Sequence, residues 1–278
     1  MKYCSINGEK VTNLDLNDRG LAYGDGLFTT AKIENNQVEL LNQHIKRLRE
    51  GCNKLAITLP IILQQDLLAD QLSNIARDYT SAVLKVIITA GSGGRGYSRI
   101  GLDSNATNII ILIFDYPKHY DELAKTGITI GFSKQKVGIS PMLAGIKHLN
   151  RLEQVLLRYE LDNREEDDLV VMNVNEQVVE ATCANLFYWI DANLYTPNVS
   201  VSGVDGLMRQ FIIANYSKYY QGEVRVVKTT PTQLKQADAM FTCNSVTGIM
   251  PVKYLGSRLL NLEPSNTLRL KIQELIRD

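Results

Sequence analysis

Short apolar runs and helical stripes alternate along the whole chain. Thr29 to Ile33 and Val38 to Leu40 read as strands, and Asn35-Asn36 between them has the composition of a hairpin turn. Ile45, Leu48, Cys52 and Leu55 then recur at helical spacing. Pro60 opens a second amphipathic pattern, which predicts a helix running to about Tyr79. Val83 to Thr89 and Asn108 to Phe114 are nearly unbroken apolar runs of strand length, as buried strands require. The pattern breaks between Tyr116 and Gly127. Beyond it, Leu149, Leu152, Val155, Leu156 and Tyr159 predict a helix. Strands follow at Leu169 to Met172, Val178 to Thr182 and Leu186 to Ile190, with turns at Asn175-Glu176 and Asp191-Ala192-Asn193. Ala239 to Thr242 reads as a further strand. Helices are predicted from Gly206 to Tyr216 and from Ser265 to Arg277, the latter capped by Ser265.

This mixture predicts an α+β fold in two domains. A smaller N-terminal α/β domain is expected over residues 1–115, a linker over 116–126 and a larger C-terminal domain over 127–278. A chain of 278 residues buries a full core without staples. Its 30 Lys and Arg balance its 30 Asp and Glu, so no charge footprint points to nucleic acid or a membrane as partner. No apolar run reaches spanning length. The first residues, Met1 to Gly8, read as a strand and turn rather than a signal peptide. Cys4, Cys52, Cys183 and Cys243 are scattered, with no C-x-x-C pair, and His is scarce. No metal site is therefore expected, and free thiols in a reducing cytoplasm are the plain reading.

Chemistry enters with Lys147, in the run Ala144-Gly145-Ile146-Lys147-His148-Leu149-Asn150-Arg151-Leu152-Glu153. Most lysines are solvated surface charges. This one follows a glycine that permits close backbone approach, and it precedes a helix that would support a loop-borne amine rigidly. Glu180 lies in Val179-Glu180-Ala181-Thr182-Cys183-Ala184-Asn185-Leu186-Phe187. Taken alone, alternation makes Glu180 an exposed residue of a half-buried strand. Together, a lysine and a distant carboxylate are what pyridoxal phosphate chemistry needs. The amine forms a Schiff base, and the carboxylate keeps the pyridine nitrogen protonated.

A phosphate needs amides and a cation. Gly203-Val204-Asp205-Gly206-Leu207-Met208-Arg209 leads into a helix, whose first N–H groups have no internal partner. The same run also reads as a glycine turn capped by Asp205. Asn244-Ser245 ends a strand and offers further donors. Arg47, one turn from His44, reads either as the phosphate's cation or as a surface helix charge. Gly91-Ser92-Gly93-Gly94-Arg95-Gly96 matches G-x-G-x-x-G, and Asp115 lies at a suitable distance. No helix follows, however, and that excludes a dinucleotide fold. The run reads instead as a substrate loop carrying Arg95 and Tyr97, or as a plain surface hairpin.

These runs resemble the fold type IV family of pyridoxal phosphate enzymes, which includes branched-chain aminotransferases, D-amino acid aminotransferases and 4-amino-4-deoxychorismate lyases. The markers are Tyr23-Gly24-Asp25-Gly26-Leu27-Phe28, His44-Ile45-Lys46-Arg47-Leu48, the Lys147 run, the Glu180 run and Gly206-Leu207-Met208-Arg209. They stand in the family's order, at its approximate spacing, across essentially the whole chain. Within the family the chain is most similar to the lyases. Three segments carry this: Phe28-Thr29-Thr30, where aminotransferases typically have a glutamate in place of Thr29; Gly93 to Ser98; and the uninterrupted run Gly145 to Leu156.

The resemblance implies the two-domain fold type IV architecture and a homodimer, with pyridoxal 5'-phosphate between the domains. It implies that Lys147 forms the internal aldimine and that Glu180 pairs with the pyridine nitrogen. Arg47 and the amides of Leu207 and Met208 would hold the phosphate, with Asn244 and Ser245 nearby. The implied reaction converts 4-amino-4-deoxychorismate to 4-aminobenzoate and pyruvate, a step of folate biosynthesis. Thr29 or Thr30 would donate a hydroxyl to the departing enolate, and Arg95 would pair with a substrate carboxylate. The tyrosine that some aminotransferases place five residues after the lysine is Leu152 here. Two alternatives remain: a D-amino acid or branched-chain aminotransferase of the same fold, and a non-catalytic binding protein. The intact set of Lys147, Glu180 and Arg47 argues against the second.

Overall fold

Residues 1–103 and 105–277 are described by a computed structural model. The fold is α+β, and its backbone contacts divide it into two units. The first holds Met1–Tyr116 together with Lys147–Asn150, and the second holds Pro117–Ile146 and the chain from Arg151 onward.

In the first unit five strands form one antiparallel sheet: β1 (Tyr3–Ile6), β2 (Gly26–Glu34), β3 (Gln37–Val38), β4 (Ser81–Thr89) and β5 (Asn108–Asp115), in the order β1-β5-β4-β2-β3. Asn35 and Asn36 make the β2–β3 hairpin with φ of 50° and 65°, the conformation a two-residue hairpin favours. The helices are α1 (Arg19–Tyr23), α2 (Leu41–Lys54), α3 (Ile61–Gln64) and α4 (Leu67–Ala76). One sheet face, with Leu27, Ala31, Leu84, Val86, Ile111 and Ile113, packs with Leu48, Leu68 and Leu72 of the helices. Each such leucine contributes about 1.5–3 kcal/mol by leaving water. The second face carries Phe28, Thr30 and Lys32 of β2 and Val83, Lys85 and Ile87 of β4, all half-buried. The pleat therefore sends Thr29 to the core face and Thr30 to the second face.

The second unit contains α5 (His119–Thr126), β6 (Ile128–Val137), α6 (Leu152–Leu161), β7 (Asp168–Asn173), β8 (Val178–Ala181), β9 (Asn185–Ile190), β10 (Asn193–Pro197), α7 (Leu207–Asn215), β11 (Arg225–Val227), α8 (Pro231–Leu234), β12 (Ala239–Asn244), β13 (Gly248–Leu255), β14 (Arg258–Leu259) and α9 (Glu263–Arg277). Its sheet runs β11-β10-β9-β12-β13-β6-β7-β8, with β14 on β13. The pairs β10–β11, β13–β6 and β6–β7 are parallel.

Several sequence expectations differ from this structure. The helix expected from Pro60 to Tyr79 is two helices, because Asp66 takes the left-handed conformation at φ 60° and its carboxylate pairs with Arg49. The stretch expected as a linker holds α5, whose Ala124 packs in the second unit's core. Ser265 is not a cap: it lies inside α9, and its hydroxyl donates to the Met240 carbonyl at 3.1 Å. Asn261 accepts from the Glu263 N–H at 3.0 Å, and so marks the helix start. Leu149 is not helical. In α6, Leu157 and Leu161 are buried, while Leu152, Val155, Leu156 and Tyr159 are each more than half exposed.

Candidate active site

Lys147 sits in a short extended segment that pairs with the start of β2. The Phe28 N–H donates to the Lys147 carbonyl at 2.9 Å, and the Leu149 N–H donates to the Gly26 carbonyl at 3.0 Å. The glycines of the Tyr23-Gly24-Asp25-Gly26 run make this possible. A Cβ on Gly24 would meet Asn150 Oδ1 at 2.6 Å, and one on Gly26 would meet Leu149 Cδ1 at 2.7 Å. Two markers far apart in sequence are thus one packing requirement. The Lys147 ammonium lies 4.6 Å from the centroid of the Phe28 ring. The Lys85 ammonium lies 4.9 Å from the same ring, and Lys85 is the direct cross-strand partner of Thr30. Burial pulls the Lys85 amine below its ordinary range. Phe28, Thr30, Lys85 and Lys147 therefore form one group.

Thr29 and His44 form another. Both are buried, at 2% and 1% exposure, and Thr29 Oγ1 lies 2.5 Å from His44 Nδ1. Burial first, then the positive charges of Arg47 and Lys147, lower the imidazole pKa to about 3. His44 is consequently neutral at physiological pH, and its Nε2 has no hydrogen-bond partner among the described residues. Thr29 is thus occupied inside the core. Of the two hydroxyls singled out in the sequence, only Thr30 shares a sheet face with Phe28. Arg47 lies half-buried on α2, one turn from His44.

In the second unit Glu180 on β8 is 7% exposed, and its Oε2 accepts the Val204 N–H at 3.0 Å. Gly203 makes that approach possible at φ +84°: a Cβ there would lie 2.5 Å from Val179 Cγ1 and 3.2 Å from Glu180 Oε2. Arg151 is close enough to feel this charge. Burial draws its pKa down, while Glu180 and then Glu153 oppose that. Asn185 ties the turn to α7, donating to the Val204 carbonyl at 2.8 Å and accepting from the Gly206 N–H at 3.1 Å.

Asp205 does not cap α7. Its carboxylate turns to Arg209, at 2.7 Å, and to Gln210, at 2.9 Å. Gly206 is the N-cap and brings no side-chain acceptor. The first-turn amides of Leu207 and Met208 accordingly suit an anion. Asn244, at the end of β12, has its Oδ1 taken by the Val246 and Thr247 N–H groups at 2.8 Å each. Only its amino group remains as a donor, and it reaches the Cys183 carbonyl at 3.4 Å. Ser245 is half-buried in the same turn.

A buried carboxylate beside an uncapped helix N-terminus fits a cofactor that pairs a basic ring nitrogen with a phosphate. Among the described residues no cluster of His, Cys, Asp and Glu is arranged to hold a metal ion. Arg95 and Tyr97 stand exposed on the glycine-rich loop of the first unit. Sequence reasoning missed His44 as the partner of Thr29, and it missed Phe28 and Lys85. Period-two alternation along β2 contained the signal for Phe28, which shares a face with Thr30 and not with Thr29.

The sequence model of the family described as amino-transferase class IV matches residues 26–255. The chain is 36% identical to an aminodeoxychorismate lyase of Vibrio harveyi, covering 98% of this chain and 96% of that one. It is 27% identical to a putative branched-chain-amino-acid aminotransferase of Methanocaldococcus jannaschii, covering 97% and 92%. Among solved structures, 4-amino-4-deoxychorismate lyase from Pseudomonas aeruginosa superposes with a TM-score of 0.89 at 31% identity, covering 98% of each chain.

Proposed function

We propose that this chain, which belongs to the amino-transferase class IV family, is a pyridoxal phosphate-dependent lyase that converts 4-amino-4-deoxychorismate to 4-aminobenzoate and pyruvate. The observation that carries the reading is the group on the second face of the first unit's sheet. There the Lys147 amine, the Phe28 ring, the Lys85 amine and the Thr30 hydroxyl share one surface. Full-length likeness to two lyases supports the choice within the family.

Glu180 would pair with the cofactor's ring nitrogen, and the amides of Leu207 and Met208, with Arg47, would hold its phosphate. Asn244 and Ser245 add donors at the end of β12. When bound, the cofactor supplies an electron sink for the charge left at C4 of the substrate. Lys147 Nζ takes the C4 proton. Loss of the C3 enolpyruvyl oxygen then makes the ring aromatic, so the protein's task is orientation and proton handling. The Thr30 hydroxyl donates toward the departing oxygen. The Lys85 amine, on the same face, pairs with one substrate carboxylate. Arg95 pairs with another, and Tyr97 lines the same loop. The Phe28 ring gives the cyclohexadiene an apolar surface.

The enzyme acts as a homodimer in the cytoplasm on this reading. The exposed stripe Leu152, Val155, Leu156 and Tyr159 on α6 supports the dimer, because its spacing is that of a buried helix face. An L156E/Y159E variant should sediment as a monomer, and a variant that stays dimeric argues against that face. Cys4, Cys52, Cys183 and Cys243 form no disulfide among the described residues, which suits a reducing compartment. No described helix is long and apolar enough to cross a membrane.

The test is direct. Enzymatically made aminodeoxychorismate should yield 4-aminobenzoate and pyruvate in equal amounts. Keto-acid-dependent transamination of D-alanine or leucine in its place would favour the aminotransferase reading. Absence of cofactor absorbance after incubation with pyridoxal phosphate would favour a binding protein.

A further inference from the structure

The run Gly93-Gly94-Arg95-Gly96-Tyr97-Ser98 has the wrong polarity for a phosphate loop. Its carbonyls converge, not its amides, and they converge on Arg19. Arg19 Nη1 donates to the carbonyls of Gly93, Gly96 and Ser98 at 3.4, 3.3 and 3.1 Å, and Nη2 donates to that of Tyr97 at 3.0 Å. The third nitrogen, Nε, donates to Asp25 Oδ2 at 2.8 Å. Arg19 is 2% exposed, so this cation is committed to the loop and not to solvent. Its Cζ also lies 5.0 Å from the Tyr23 ring centroid, and Tyr23 meets Tyr97 edge-on at 5.5 Å.

The glycines follow from this cage. Gly94 has φ +74°, and a Cβ there would lie 2.6 Å from the Ser98 carbonyl oxygen and 2.9 Å from Arg19 Nη1. The far end of the loop is tied to the same carboxylate. Arg99 Nε donates to Asp25 Oδ2 at 2.9 Å, and Arg99 Nη1 reaches the Leu55 and Ala56 carbonyls at 2.8 and 2.7 Å. Burial pushes the Asp25 carboxyl up, but hydrogen bonds from Arg99 and Arg19 outweigh it and hold the group below its ordinary range. A buried arginine placed against four carbonyls uses the fixed fork of its donors, which lysine lacks. The loop side chains Arg95 and Tyr97 are left turned outward and exposed.

We propose that Arg19 is a positioning residue: its guanidinium sets the conformation of residues 93–98 and thereby where Arg95 is presented to a substrate carboxylate. The first half stands on the loop geometry alone. The second half rests on the role of Arg95 in the proposed function.

The experiment uses the cofactor-loaded protein and two variants. R19K keeps the charge and removes the fork. G94A keeps Arg19 and crowds the loop from its other side, so it serves if R19K does not fold. Trypsin cleavage after Arg95, followed by mass spectrometry, should be about tenfold faster in each variant, because cleavage tracks the opened population. KM for aminodeoxychorismate should rise about tenfold in R19K with kcat within about threefold, the signature of lost substrate binding. Cofactor affinity should match the wild type. In an R95A background R19K should raise KM no further, as two residues acting through one contact require. Cleavage unchanged in both variants overturns the role of Arg19. Faster cleavage with R95A at the wild-type KM supports Arg19 as the residue that sets the loop, and it overturns the carboxylate role of Arg95 in the proposed function.

Discussion

The two faces of β2 carry adjacent threonines with opposite fates. Thr29 points into the core and is bonded to a neutral His44. Thr30 points to the face where two lysine amines flank one phenyl ring. The same hydroxyl is a packing element on one side and faces the lysine amines on the other. The pleat decides which, and residue type does not. The departure from the aminotransferase pattern at Thr29 therefore acts through the core. It puts a neutral hydroxyl opposite His44, where a carboxylate would favour the charged imidazole.

Four measurements would break or sharpen that contrast. The largest effect belongs to Lys147. K147A should lower kcat by about 10³-fold or more, with thermal unfolding of the cofactor-free protein little changed. An active K147A removes the lysine from the reaction. Next comes the second face itself. T30V should reduce kcat about 10- to 100-fold with stability retained, since a general acid is worth up to about 10²–10⁴. Wild-type turnover in T30V would move the proton donor elsewhere.

The core face should behave in reverse. T29V should keep kcat within about threefold once folded, yet lose about 1–3 kcal/mol, because His44 Nδ1 would be left unsatisfied in a dry site. Denaturant titration beside steady-state kinetics separates the two threonines. A catalytic defect in T29V as large as that of T30V would erase the contrast.

The smallest signal is a slope against pH. His44 is neutral in the folded protein down to about pH 3, whereas in the unfolded chain it takes up its proton near pH 6.5. Between these values the unfolded state binds the extra proton, so stability falls as pH falls, by at most about 1.4 kcal/mol per unit. The stability of H44Q relative to the wild type should therefore improve by about 2 kcal/mol between pH 7 and pH 5. Parallel pH profiles for the two proteins would show that His44 does not titrate in this way.

Much of the architecture was legible in the sequence because β2, β4, β5 and β7 carry strong local patterns bounded by turn residues. Asn35-Asn36 and Asp191-Ala192 announced their turns, and the structure gives all four positive φ. The failures have physical causes. Asp66 breaks a helix through a left-handed backbone conformation, and helical periodicity does not register it. The stripe on α6 reads as core because periodicity reports that a face is apolar and does not say what covers it. Ser265 looked like a cap because caps and buried hydroxyls share a residue type. At the site, the glycines near Lys147 made sense only once Leu149 and Asn150 lay against them. The Gly93 to Ser98 loop matched a phosphate motif although its carbonyls close on Arg19.

The central claim is that this chain eliminates pyruvate from aminodeoxychorismate with Lys147 as the base. Purified protein loaded with pyridoxal phosphate should release 4-aminobenzoate and pyruvate one for one, and K147A should release neither above the uncatalysed rate. No product from the wild-type protein, or equal product from K147A, would contradict the account.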